Sequence, residues 1–141
     1  MSQFTKITDD FAVAPQLPPA ALDVAAKEGF HTVICNRPDG EDANQPTLDE
    51  MSKTATRAGM AFHAVPFDMH SLDRGVIDNF EAAINTANGP ILAYCRSGTR
   101  STIAWCVVQR RAGRNIDDVL SAAMAAGYDL RAQAAMIESL V

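Results

Sequence analysis

The segment Ile91-Leu92-Ala93-Tyr94 is apolar at every position, and Cys95-Arg96-Ser97-Gly98-Thr99-Arg100-Ser101 follows it without a break. A short run with no polar face suits a strand covered on both sides, as in a parallel sheet between two helix layers. The polar loop gives way to a run that reads as a helix over Ser101 to Ala112, closed by Gly113. Strand, short loop and helix in succession confine the chain to a few α/β arrangements. They also place the loop beyond the carboxyl end of a strand, where open α/β sheets bind ligands.

The other segments alternate in the same way. Phe4 to Ile7 and Phe11 to Ala14 are short and rich in strand formers, suiting a small hairpin or edge. Pro18-Pro19 opens a helix, because proline is tolerated in a first turn, and the Ala-rich stretch to Glu28 stops at Gly29. His31 to Asn36 reads as a buried strand running into the Arg37-Pro38-Asp39-Gly40 turn. Thr47 and Glu50 have capping-box spacing and open a helix that Gly59 ends. Met60 to Phe67 reads as the next strand and Asp68 to Asp73 as a loop. Ile77, Phe80, Ile84 and Ala87 recur at helical steps over Arg74 to Ala87, before Asn88-Gly89-Pro90 breaks the pattern. Beyond the Cys95 loop three helices are expected: the one from Ser101, Ile116 to Ala126, and Leu130 to the C-terminus. The fold class is therefore α/β, a single domain over residues 1–141 with a mostly parallel sheet flanked by helices.

Charge narrows the function classes. Twelve Lys and Arg against seventeen Asp and Glu give a net charge of −5, the wrong sign for coating a polyanion, so no nucleic acid is expected as partner. Between Glu81 and Asp117 there is no acidic residue, while Arg96, Arg100, Arg110, Arg111 and Arg114 fall there. Such an acid-free, arginine-bearing stretch points to a small-anion site. Apolar runs such as Ile103 to Val108 fall far short of the roughly twenty residues of a membrane span. Met1 to Lys6 lacks the apolar core and cleavage site of a secretory leader. Three cysteines without C-x-x-C spacing fit neither a disulfide framework nor structural zinc, and the histidines have no paired ligand spacing. A cytoplasmic setting, no membrane partner, no metal and no cofactor are expected.

The loop itself carries the chemistry. Gly98 permits the backbone angles that turn amides inward, and the helix N-terminus adds partial positive charge. Arg96 and Arg100 add full charges, and a guanidinium fork grips two oxygens of a tetrahedral anion. Ser97 and Thr99 fall within the same anion-binding loop. That field favours a thiolate at Cys95, and a thiolate inside an anion hole is a nucleophile. Ser101 is placed to cap its helix and to donate to the Cys95 sulfur. Cys35, within a strand, and Cys106, on an apolar helix face, read as core residues.

The segment Tyr94-Cys95-Arg96-Ser97-Gly98-Thr99-Arg100-Ser101 resembles the signature loop of tyrosine and dual-specificity phosphatases. More narrowly, Asn36-Arg37-Pro38-Asp39-Gly40-Glu41, the Cys95 loop and the tail from Ala112-Gly113-Arg114-Asn115 through Ala126-Gly127-Tyr128-Asp129-Leu130 are similar to the bacterial beta-lactamase hydrolase-like, phosphatase-like family. The likeness covers nearly the whole chain and implies a dual-specificity-phosphatase-like fold. One departure matters: four residues separate Cys95 from Arg100, one fewer than in the phosphatases. The shorter ring has lost an inward amide and holds a phosphoryl group less well. Rhodanese-type sulfurtransferases use a loop of this shorter length. Members of the resembled family also occur joined to persulfide-oxidising metallo-hydrolase domains, a setting for sulfur chemistry.

Two mechanisms follow. In the first, Cys95 takes the outer sulfur of thiosulfate or a persulfide and passes it to an acceptor thiol such as glutathione. In the second, the alternative, Cys95 attacks a phosphoester and an acid protonates the leaving oxygen. Asp68 is the candidate acid, because it follows the strand ending Val65-Pro66-Phe67, where the phosphatases carry theirs. The competing reading makes it a solvated turn residue. Asp73 reads as a helix cap, His63 lies on a strand, and His70, in the loop, either meets substrate or is a surface residue. Arg37 leaves its strand on the loop's side, and either meets a substrate anion or pairs with Asp39 or Glu41. Arg110, Arg111 and Arg114 are expected on a solvated helix end that favours the C-terminal dipole.

Overall fold

The computed structural model describes residues 4–141, so Met1, Ser2 and Gln3, the start of the Met1 to Lys6 stretch, lie outside the described residues. Five strands and six α-helices follow in chain order: β1 (Thr5–Thr8), β2 (Phe11–Ala14), α1 (Ala20–Lys27), β3 (Thr32–Cys35), α2 (Leu48–Arg57), β4 (Ala61–Ala64), α3 (Arg74–Thr86), β5 (Ile91–Tyr94), α4 (Thr99–Arg111), α5 (Ile116–Ala125) and α6 (Ala134–Ser139). The sheet order is β1-β2-β5-β3-β4, so β5 lies at the centre. It pairs in parallel with β2 and β3, and β3 pairs in parallel with β4. Only β1 is antiparallel, joined to β2 as the expected hairpin. β1 is an edge, whereas β2 is interior to the sheet.

Period-two alternation sorts the side chains between two layers. Phe11, Val13, Ile34, Ile91 and Ala93 face one core, shared with apolar residues of α3, α4, α5 and α6. Ala12, Ala14, Val33, Cys35, Leu92 and Tyr94 face the other, closed by α1 and α2. Trp105 of α4 stacks on Phe11 across the first core, with ring centroids 6.3 Å apart.

The element boundaries follow local chemistry. Thr47 caps α2, accepting from the Glu50 amide at 3.1 Å, and Asp73 caps α3, accepting from the Val76 amide at 2.8 Å. β4 is shorter than the apolar run suggests, because Pro66 interrupts the donors, although Val65 and Phe67 still donate to the Cys35 and Asn36 carbonyls. The last helix is split: a 3₁₀ turn over Arg131–Gln133 precedes α6. α4 begins at Thr99, two residues before the expected start, with Gly98 at the N-cap. Ser101 is therefore inside the helix rather than its cap. Cys35 and Cys106 are free and buried as expected, and burial pushes both thiols up, Cys106 to about 12. The arginines at the far end of α4 are less free than their sequence setting suggests. Arg110 pairs with Glu138, Arg111 with Asp78 at 2.7 Å and with Glu81 at 3.3 Å, and Arg114 lies over the Trp105 ring.

Candidate active site

Cys95 leaves the carboxyl end of the central strand. Continuing the alternation past Ala93 carries it to the α4 side, and the residue is fully buried. Gly98, at φ +94°, turns the chain tightly enough for its own amide to donate to Cys95 Sγ at 3.1 Å. The loop is pinned from behind, where the Gln16 amide donates to the Arg96 carbonyl at 3.1 Å. Ser97 and Thr99 are paired with each other, Ser97 Oγ donating to Thr99 Oγ1 at 3.0 Å. α4 starts at Thr99, so its unsatisfied first-turn amides and positive dipole end lie against the loop.

Asn36 follows β3 as Cys95 follows β5, and the two ends are joined, the Asn36 amide donating to the Tyr94 carbonyl at 2.9 Å. Asn36 Nδ2 donates to the Val65 carbonyl at 3.0 Å, and Oδ1 accepts from Ser101 Oγ at 2.7 Å. The expectation that Ser101 caps α4 or serves the sulfur is thereby corrected. Its hydroxyl proton is committed to a buried Asn, and it ties α4 to the ends of β3 and β4.

Arg100 is held by an acid that local sequence reasoning does not single out. Its Nη1 and Nη2 donate to Glu41 Oε2 and Oε1 at 2.7 and 2.8 Å, and Nη1 also donates to the Phe67 carbonyl at 3.0 Å. Glu41 Oε1 accepts in addition from Arg37 Nε at 2.9 Å. The Arg100 hydrogen bond, aided by Arg37 and opposed by desolvation, holds the Glu41 carboxyl down at about 2. Glu41 raises the Arg100 guanidinium in turn, as does the nearby Cys95. Of the two readings of Arg37, the structure displays the ion pair. Arg37 is only 2% exposed, with Nη1 donating to Gln16 Oε1 at 3.1 Å, so it supports Glu41 from beneath.

Arg96 differs from every other arginine. It is exposed, and among the described residues its side chain has no hydrogen-bond or ion-pair partner. A guanidinium without a protein partner adjoins the buried Cys95 in the chain. The two charges beside Cys95 are thus divided between a fixed fork and an unengaged one.

Asp68 lines a cavity of about 350 Å³ with Glu41, Met69, Thr99, Arg100, Ile103 and Gln133. Its Oδ1 accepts from the amides of His70 at 2.8 Å and Ser71 at 2.9 Å, and these bonds hold the carboxyl below its ordinary value. It sits beside the arginine, as its position after β4 suggests, but as an ionised turn residue. His70 shares that exposed turn, and His63 lies on β4, half-buried. Among the described residues no His, Cys, Asp and Glu cluster suits a metal ion.

Tyr128 is the second residue that local reasoning misses. Its Oη donates to the Ser97 carbonyl at 3.1 Å, bringing the segment after α5 over the loop.

The family model of the beta-lactamase hydrolase-like protein, phosphatase-like domain, matches residues 3–113. The chain belongs to this family. A beta-lactamase hydrolase-like protein of Xylella fastidiosa is 38% identical over 106 residues, covering 74% of the chain and 25% of that protein. Its counterpart in Agrobacterium fabrum is 28% identical over 134 residues, covering 94% of the chain and 31% of the relative. The chain thus spans about a quarter to a third of the length of these relatives. Among solved structures, a candidate phosphatase from Neisseria meningitidis superposes with a TM-score of 0.87 at 30% identity, covering 100% of this chain and 99% of that one. The catalytic core of the PP-IP phosphatase of S. cerevisiae gives 0.71 at 14% identity, over 96% and 83% of the two chains, a likeness of fold. The fold is that of the tyrosine and dual-specificity phosphatases.

Proposed function

We propose that the chain is a cysteine-dependent enzyme acting on small anionic substrates through a covalent intermediate on Cys95, and that the group it moves is a sulfane sulfur. The observation that carries the reading is the Cys95–Arg100 ring, one residue short and with its arginine already engaged by Glu41. The Cys95 thiolate attacks the outer sulfur of thiosulfate; the new S–S bond forms as the old one breaks, and sulfite leaves with the electron pair. Loop amides and the α4 dipole stabilise the Cys95 persulfide. An acceptor thiolate, such as that of glutathione, then takes the outer sulfur and restores Cys95. Neither leaving group needs a proton, which accords with an Asp68 held ionised by its turn. Arg96 supplies the contact for the incoming anion. A reducing, cytoplasmic setting accords with three free thiols.

The comparisons favour a second reading. The family is phosphatase-like and the solved neighbours include phosphatases, which supports hydrolysis of a small phosphoester. Cys95 would attack phosphorus, the ester oxygen would leave with a proton from Asp68, and water would release phosphate. Intact mass after incubation with thiosulfate separates the two. A gain of one sulfur on the wild type and none on Cys95→Ser is expected. No gain, together with Cys95-dependent cleavage of a phenyl phosphate, assigns the phosphatase reaction instead.

A further inference from the structure

Tyr128 is delivered to the Cys95 loop by the end of α5. Gly127, at φ +101°, turns the chain out of the helix, and the Tyr128 amide donates back to the Ala123 carbonyl at 2.9 Å. The half-buried ring then reaches Ser97, and its hydroxyl lies so close above Gly98 that a Cβ there would come within 2.1 Å of it. The Ser97–Gly98 peptide is trans, so its carbonyl and its amide N–H lie in one plane and point in opposite directions. The carbonyl accepts from Tyr128 Oη at 3.1 Å, and the amide donates to Cys95 Sγ at 3.1 Å. Gly98 is the loop position where backbone rotation is sterically cheapest, so this peptide is the one most able to turn over.

We propose that Tyr128 is a positioning residue whose hydroxyl latches the Ser97–Gly98 peptide, holding the Gly98 amide on the Cys95 sulfur and so stabilising negative charge there. The inference rests on Cys95 being the nucleophile and holds for sulfur or phosphoryl transfer alike. In a ring with one residue fewer, each inward amide counts for more. Burial, and after it the proximity of Cys95, push the Tyr128 hydroxyl up, which keeps it a donor. The other charged or titratable groups beside Cys95 are the adjoining Arg96, Arg100 from α4 and Cys35 from β3, and Glu41 fixes Arg100 independently of Tyr128. Removing the Tyr128 hydroxyl therefore changes one hydrogen bond and no charge.

The test is the rate of Cys95 alkylation by iodoacetamide in the whole chain as a function of pH, with Cys95→Ser as background. Tyr128→Phe keeps the ring and loses the latch, while Tyr128→Leu loses both. Hydrogen bonds to charged groups are among the stronger ones, and partial loss of this one is expected to slow Tyr128→Phe about tenfold near neutral pH. At alkaline pH, where the thiolate forms without help, the rate returns to that of the wild type. Tyr128→Leu is expected to be at least as slow near neutral pH, and the melting temperature of Tyr128→Phe stays close to the wild-type value. A wild-type profile for Tyr128→Phe with only Tyr128→Leu impaired would make the ring a wall and overturn the latch. Slowing by the same factor at every pH would overturn it too, since that reports access rather than charge. Alkylation reads Cys95 without any substrate, so failure of the sulfur-transfer reading leaves this result interpretable, and the reverse.

Discussion

Replacing Glu41 by Gln keeps the shape of the side chain and removes one charge from the centre of a three-residue network. Arg100 and Arg37 both lose the negative charge between them, and the bond to whichever position the amide nitrogen takes is lost, while the remaining amide oxygen can still accept. Side-chain exposures of 3% for Arg37, 13% for Arg100 and 25% for Glu41 place the network between a buried and a surface ion pair. Breaking a fully buried pair costs about 3–5 kcal/mol, whereas an exposed pair contributes about 0–1. Proton linkage bounds the same quantity. Lowering the Glu41 carboxyl from 4.5 to about 2 corresponds to about 3 kcal/mol, and partial exposure to solvent reduces this to about 2. Because the folded-state value is depressed, the contribution is complete above the ordinary value of 4.5 and is lost as pH falls through about 2. The single tryptophan, Trp105, is buried in the core, so its fluorescence reports urea unfolding. Glu41→Gln is expected to be about 2 kcal/mol less stable than the wild type near neutral pH, with the gap closing as the acid limb is approached. Equal stabilities at neutral pH, or a gap that does not change with pH, would refute the network as an electrostatic support of the site.

Ser101→Ala removes the donor to Asn36 Oδ1 and leaves a buried acceptor unpaired, so a loss of about 1–3 kcal/mol is expected in the same unfolding experiment. Asp68→Asn preserves an oxygen able to accept from the His70 and Ser71 amides, so the turn survives. Thiosulfate-dependent sulfur uptake by this variant should match the wild type. A large drop confined to phosphoesters with poor leaving groups would instead mark Asp68 as an acid.

What the sequence discloses about this site follows from how far apart its parts lie in the chain. The strand, the loop and the start of α4 are contiguous, so the placing of Cys95, Arg96, Gly98 and Arg100 follows from local rules of strand burial, turn geometry and helix initiation. Thr47 and Asp73 are legible as caps for the same reason, each bonding an amide three residues on. Glu41 and Tyr128 are not, because they meet the loop across 59 and 31 residues of chain. Both stand within stretches that resemble a known family, yet nothing in their immediate neighbours marks them as partners of Arg100 and Ser97. Ser101 shows the complementary failure. A serine near a helix start reads as a cap, but Gly98 already supplies the left-handed turn that starts α4, leaving the hydroxyl to the buried Asn36. The apolar pattern is likewise silent on whether Arg37 faces solvent or Glu41, a choice made by the packing of the turn after β3.

The eight consecutive residues Ser101 to Val108 of α4 are all buried, so this helix has no solvent face over those two turns. Its amides can reach water only when the sheet and the outer helices separate together, which makes their hydrogen exchange a measure of global opening. The Cys95 loop is the direct continuation of that helix and is knotted to β2, β3 and the α5–α6 connection by single hydrogen bonds. It shares their fate in denaturant: the reactive centre should have no softer melting step of its own.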